Sequence, residues 1–138
     1  MSIKKKIRKI VKKERFDSET YINYLRSIGV KIGEGTEFFY PETIFIDESR
    51  PYMITIGNNV KVTRGVSILT HGFDWCVLKG KYGDVLGSAG QVTVGNNVFI
   101  GTQSTLLKGI TIGNNVIIGA NSLVTQIIHG MVLPMKFA

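Results

Sequence analysis

The chain has 138 residues, 16 glycines, one cysteine and a formal charge of +7. That length suits a single domain, and a lone cysteine (Cys76) excludes an intrachain disulfide framework. No apolar run is long enough to cross a bilayer or to form a signal-peptide core, so the expected setting is cytoplasmic, with contact at the inner membrane face open.

The charge is concentrated at one end. Residues 1–15 hold eight basic side chains (Lys4, Lys5, Lys6, Arg8, Lys9, Lys12, Lys13 and Arg15) against Glu14, and the rest of the chain balances to neutral. Ile3, Ile7, Ile10 and Val11 fall on one face of a helix whose other faces are basic, which predicts a basic amphipathic helical segment over 1–27. Such a helix suits a membrane surface. It equally suits docking of its apolar stripe on the first turn of the domain that follows. Nucleic acid is not an expected partner, because the basic run has no interleaved aromatics and no binding motif follows it.

Within a repeat domain over residues 28–126, an aliphatic recurs at every sixth position between Val92 and Thr125, and the same period appears earlier in residues 28–70. Ile32, Phe38 and Ile44 begin the series, Ile56, Val62 and Ile68 continue it, and Val94, Ile100, Leu106, Ile112, Ile118 and Val124 complete it. A second series, Val92, Val98, Ser104, Ile110, Val116 and Ser122, runs two residues ahead. Neither a helix (period 3.6) nor a flat strand (period 2) gives a strict six. A chain turning a corner every six residues does, and three such sides make one triangular coil of about 18 residues, a hexapeptide-repeat β-solenoid. Position 50 belongs to the series but holds arginine, so Asp47–Met53 reads as a bulged turn. The element Ile-Gly-Asn-Asn-Val occurs at 56–60 and 112–116, with Val in first place at 94–98. Asparagine tolerates the left-handed backbone region, so these are sharp corners, and the last two copies should stack.

Ile68 and Val94 are separated by one six-residue step plus 20 further residues. Residues 71–90 therefore leave the coil as a long loop, carrying Phe73, Trp75, Tyr82 and Leu86. Long aromatic loops on a rigid scaffold point to function and docking. Cys76 has no base or orienting group nearby in sequence and reads as a loop residue. After Gln126 the lattice breaks into an atypical apolar tail, 127–138.

The run Ile54-Thr-Ile-Gly-Asn-Asn-Val, then Thr70-His71, a loop, and Val92-Thr-Val-Gly-Asn-Asn-Val-Phe-Ile-Gly resembles the hexapeptide-repeat O-acetyltransferases. So does Leu106-Leu-Lys-Gly-Ile-Thr-Ile-Gly-Asn-Asn-Val-Ile-Ile-Gly-Ala-Asn-Ser-Leu-Val-Thr125. The galactoside and maltose enzymes and those of surface-polysaccharide synthesis are the nearest groups, and the likeness covers about residues 30–126. It implies a left-handed parallel β-helix, a homotrimer, and acetyl-CoA as co-substrate in a groove between subunits, with no metal. The acceptor would be a hydroxyl of a sugar or polysaccharide precursor.

Transfer from a thioester to a hydroxyl requires removal of the hydroxyl proton, which a neutral imidazole performs well at physiological pH. His71 occupies the position matching the family's catalytic histidine, whereas His129 lies in the tail. A carboxylate or backbone carbonyl should hold its other ring nitrogen. Asp47 loosely matches an acceptor-site aspartate and reads equally as a turn-forming residue; Asp74 is a second candidate for acceptor contact. The resemblance places Phe99 beside the pantetheine arm, although an outward aromatic at a subunit contact reads the same. Thr102 and Ala120 would meet the pantetheine amides, Gly101 and Gly119 would let the cofactor approach the backbone, and Thr125 would lie near the nucleotide.

The chain also departs from the family pattern. The acceptor-site asparagine of the galactoside and maltose enzymes has no counterpart near Tyr40–Glu42. The tail reads more like a shifted frame or a truncated coding sequence than a normal cap, and leaves only Lys136 for the CoA phosphates. A catalytically inactive scaffold trimer is the alternative reading. A zinc-dependent carbonic anhydrase on the same solenoid would need three histidine ligands, against two in this chain.

Overall fold

The computed structural model describes residues 2–4, 13–84 and 87–129. Among the described residues, twelve short strands stack into three parallel four-stranded sheets. The first coil is formed by β1 (Lys31–Ile32), β2 (Glu37–Phe38) and β3 (Phe45–Ile46), and the second by β4 (Ile54–Ile56), β5 (Val60–Val62) and β6 (Ser67–Ile68). The third contains β7 (Val92–Val94), β8 (Val98–Ile100) and β9 (Thr105–Leu106). The fourth contains β10 (Thr111–Ile112), β11 (Val116–Ile118) and β12 (Leu123–Val124). Each sheet takes one strand per coil, in the orders β1-β4-β7-β10, β2-β5-β8-β11 and β3-β6-β9-β12. The chain is thus a triangular prism, the parallel β-helix expected from the six-residue period.

The prism is filled by the predicted lattice. Ile56, Val62, Ile68, Val94, Ile100, Leu106 and Ile112 are all buried, as are Val92, Val98, Ile110 and Val116 of the second series. Asparagine makes one corner repeatable. Asn59, Asn97 and Asn115 hold φ of 51°, 56° and 59°, a region where asparagine is among the least strained residues after glycine. Their side chains form a ladder along the prism, with Asn59 Nδ2 donating to Asn97 Oδ1 at 2.9 Å and Asn97 Nδ2 to Asn115 Oδ1 at 2.8 Å. Beside it, the Asn58 and Asn96 amides donate to the Asn96 and Asn114 side-chain oxygens. All three Gly-Asn-Asn copies therefore stack, not only the last two.

The first coil departs from the strict six. Ile46, not Ile44, lies in register with Ile68, while Ile44 is buried at the place of Val66. The residues that shift the register occupy a 3-10 turn at Pro41–Thr43. Further residues are taken up at 47–53, where the expected bulged turn contains a second 3-10 turn, Pro51–Met53. After both, the lattice is back in phase, with Ile32 opposite Ile56.

Helix α1 (Ser18–Ile28) closes the first coil. Asp17 caps it by accepting from Thr20 N–H at 2.8 Å, and Gly29 ends it at φ 113°, a conformation that favours glycine. Tyr21, Ile22 and Leu25 are buried, and the Tyr21 ring meets Phe38 edge-on at 5.5 Å. The docked helix is therefore 18–28. Residues 5–12, which carry most of the basic amphipathic pattern and its possible membrane contact, lie outside the described residues, and Ile3 is exposed. Among the described residues, no helix is long and apolar enough to cross a membrane.

Two further expectations change. The excursion at 71–90 is not all loop: Trp75–Tyr82 forms a second helix, α2, and Cys76 is exposed on it. Its residues, Trp-Cys-Val-Leu-Lys-Gly-Lys-Tyr, form no apolar helical stripe and none is buried, so periodicity does not reveal it. The start of the tail also stays with the prism. Ile128 pairs with Ile112 at the outer edge of β10, with Ile128 N–H donating to Thr111 O at 2.9 Å. His129 is exposed, and residues 130–138, including Lys136, are outside the described residues.

Candidate active site

The register shift in the first coil places Asp47 directly beneath the exit of the α2 excursion. Its N–H donates to Ile68 O at 3.0 Å, which aligns the carboxylate with Thr70 and His71 in the coil above. The side chain is 7% exposed and fully engaged. Oδ1 accepts from Ser49 N–H at 3.1 Å and Ser49 Oγ at 2.6 Å. Oδ2 accepts from the Thr70 hydroxyl, from Thr70 N–H at 3.3 Å, and meets His71 Nδ1 at 2.6 Å.

These bonds determine both protonation and orientation. Burial alone would raise the Asp47 carboxyl, but the hydrogen bonds from Ser49, Thr70 and His71 outweigh it and hold the group well below its ordinary 3.8. Asp47 is therefore a carboxylate at neutral pH and can only accept. The proton between the two groups belongs to His71 Nδ1, which leaves the Nε2 lone pair for chemistry. The His71 side chain is 23% exposed. Asp47 thus supplies the carboxylate expected behind the histidine. Its oxygens are occupied by protein donors rather than open to an acceptor, so its position suits an orienting role instead of the acceptor contact expected from sequence.

The turn carrying Asp47 is fastened from outside. Arg15 donates to Ile44 O at 2.8 Å and to Glu48 Oε1 at 3.0 Å, while the Tyr24 hydroxyl donates to Glu48 Oε2 at 2.9 Å.

His71 stands at the neck of the excursion. It bridges Ala89 in antiparallel fashion, and Gly90 N–H returns to Thr70 O at 2.9 Å. Asp74 is held rather than free: Oδ2 accepts from Ser88 Oγ at 2.9 Å and from Lys108 Nζ at 3.3 Å. The Ser88 bond, aided by Lys108, lowers this carboxyl from its ordinary value. Asp74 thus secures the returning limb, a placement that sequence reasoning missed along with its partners Ser88 and Lys108. Both partners lie more than a dozen residues away, with no motif to flag them. Thr70 was readable beside His71, but its bond to Asp47 depends on the shifted register.

The residues expected to meet acetyl-CoA fall on one outer face and two corners of the prism. Phe99 projects from the outer face of β8, between Lys61 and Ile117, and is 40% exposed. Gly101, Thr102, Gly119 and Ala120 occupy the corner between the second and third sheets, with Asn121 N–H donating to Thr102 O at 2.8 Å. Thr102 and Ala120 are exposed. Thr125 lies after β12, on the corner that carries His71 two coils below. Gly101 has a reason of its own to lack a side chain: a Cβ there would lie 2.5 Å from Ala120 N. Stacking of the coils demands this glycine whether or not a cofactor lies nearby.

Residues 91–126 match the family described as bacterial transferase hexapeptide (six repeats). The protein CapG of Staphylococcus aureus is 35% identical over 86 residues, which cover 62% of this chain and 49% of CapG. The chain therefore spans about half the length of that curated relative. A maltose O-acetyltransferase from Clostridium difficile 630 is 28% identical, with a TM-score of 0.51 over 80% of this chain and 66% of that one. A hexapeptide-repeat-containing acetyltransferase from Vibrio cholerae shares the fold at 19% identity, with a TM-score of 0.57 over 91% of this chain and 79% of that one. The repeat and these relatives make the chain similar to the hexapeptide-repeat acetyltransferases, and the stacked parallel strands give it a parallel β-helix fold.

Proposed function

We propose that this chain moves an acetyl group from acetyl-CoA to a hydroxyl of a sugar or polysaccharide precursor, with His71 as general base. The observation that carries the reading is the 2.6 Å contact between Asp47 Oδ2 and His71 Nδ1 at the mouth of the excursion. It fixes ring and tautomer so that Nε2 accepts the hydroxyl proton as the oxygen attacks the thioester carbonyl. The carbon–sulfur bond then breaks, and the imidazolium returns the proton to the departing thiolate, giving free CoA. Asp47 stabilises the positive ring in between and stays ionised. The likeness to the Clostridium difficile maltose enzyme favours a sugar hydroxyl as acceptor.

The placement of the cofactor residues favours a homotrimer. Gly101, Thr102, Gly119 and Ala120 are on a different corner of the prism from His71, with the third sheet between them, and Phe99 lies on the outer face of the second sheet. A threefold arrangement of prisms brings the His71 corner of one copy towards the other corner of its neighbour, and cyclic closure covers exposed side chains such as Phe99 and Ile117. Thr125 would then contact the cofactor from the His71 side.

The test is release of free CoA thiol from acetyl-CoA in the presence of sugar acceptors, with sedimentation of the same sample. Acceptor-dependent release by a trimer, lost in His71→Ala, supports the reading. A stable monomer that binds CoA rejects the groove. Acceptor-dependent transfer that survives His71→Ala rejects the base.

A further inference from the structure

We propose that the exposed ring of Phe73, backed by Trp75, is the platform on which the acceptor's pyranose ring stacks while one of its hydroxyls reaches His71. The proposal rests on the acetyl-transfer reading above and specifies its acceptor. Positions 71, 73 and 75 form a row of three rings. The His71 and Phe73 centroids are 5.7 Å apart with planes at 66°, and Phe73 and Trp75 are 6.4 Å apart at 47°. Neither neighbour stacks flat on Phe73, and the residue is 71% exposed, so its ring stays largely open to solvent.

Phe73 is also held in place. Its carbonyl accepts from Cys76 N–H at 3.0 Å, which starts the turn into α2. The next residue, Asp74, is tied to Ser88 and Lys108. An open aromatic fixed beside a polar Asp–His pair calls for a ligand with one apolar face and a hydroxyl rim. A pyranose has both: its axial C–H groups carry slight positive charge that suits the negative face of an aromatic ring, while a rim hydroxyl can approach within about 3 Å of Nε2. An acyclic acceptor such as serine or glycerol has no such face.

The chain carries its own reporter, because Trp75 is its single tryptophan. The full chain is titrated with the methyl glycosides of glucose, galactose and N-acetylglucosamine, with serine and glycerol as acyclic probes. A saturable change in Trp75 emission with at least one glycoside, and none with serine or glycerol, is expected. Phe73→Ala and Phe73→Leu should each weaken that response and raise the acceptor KM by about tenfold or more, whereas Phe73→Tyr keeps both. The KM for acetyl-CoA should not follow.

A wild-type chain whose emission ignores all three glycosides overturns the platform, as does a Phe73→Ala variant that binds and uses them unchanged. A change in sedimented mass in Phe73→Ala also overturns it, since the ring would then be a subunit contact. The two readings fail separately. Glycoside binding at Trp75 without acetyl transfer removes the enzyme reading and leaves the platform. Transfer to serine or glycerol as readily as to a glycoside, retained in Phe73→Ala, does the reverse.

Discussion

Ile46 lies in register with Ile68, and Asp47, the next residue, donates its N–H to the Ile68 carbonyl at 3.0 Å. One step further along each strand, this register brings a buried carboxylate beneath Thr70 and His71. The orientation of His71 therefore depends on packing in a different coil from its own.

Removing the base should stop transfer without disturbing the prism. His71→Ala is expected to lower acceptor-dependent acetyl transfer by about 10²–10⁴-fold, with acetyl-CoA affinity little changed. Steady-state kinetics and calorimetric titration of CoA check the two halves. A variant with unaltered kcat would show that His71 only closes the neck.

Asp47→Asn keeps the shape but removes the charge that holds Nδ1–H and stabilises the imidazolium. Transfer should fall by about tenfold or more in kcat, with the KM for acetyl-CoA unchanged. A raised KM for acetyl-CoA together with a lowered urea midpoint at neutral pH would instead indicate a misfolded turn.

The same carboxylate links stability to pH. Its folded value lies below the ordinary 3.8, so the unfolded chain binds more protons in acid. The contribution is complete above about pH 5, shrinks as pH falls through the ordinary carboxylate range, and is lost by the folded value. Urea midpoints measured from about pH 6 down to about pH 3 should drop more steeply for wild type than for Asp47→Asn. Parallel slopes would contradict the charge assignment.

The asparagine corner can be tested by backbone preference. Asn97→Gly keeps the positive φ of 56° and loses only the ladder bonds, whereas Asn97→Val also strains the backbone. The valine variant should be less stable than the glycine variant by about 1–2 kcal/mol, read from chemical denaturation.

The core offers the harshest test. Ile112 is 0% exposed, and Ile112→Asp would bury an unpaired carboxylate in the prism. Loss of the folded state by circular dichroism is expected, whereas Ile112→Val should cost about 0.5–1.5 kcal/mol.

The sequence reveals the prism because its inward positions recur every six residues and one corner reuses Gly-Asn-Asn. His71 is legible because it stands where that period stops. The Asp47–His71 contact is not legible. It depends on the register shift at Pro41–Thr43, and counting by sixes from Ile32 selects Ile44 instead of Ile46. Helix α2 escapes for a related reason: none of its residues is buried, so no apolar stripe marks its turns. The partners of Asp74 are hidden because Ser88 and Lys108 reach it only once the excursion closes.

The narrow neck between Thr70 and Gly90 gives the molecule a modular character. The excursion leaves and re-enters the wall almost at one point, joined by a 2.9 Å bond, and the strands before and after it stack as though it were absent, with Ile68 opposite Leu106. Insertions, deletions or wholesale exchange between these two residues would leave every coil in phase. Evolution can therefore rewrite this appendage without renegotiating the scaffold, and a designer can graft a foreign one at the same junction.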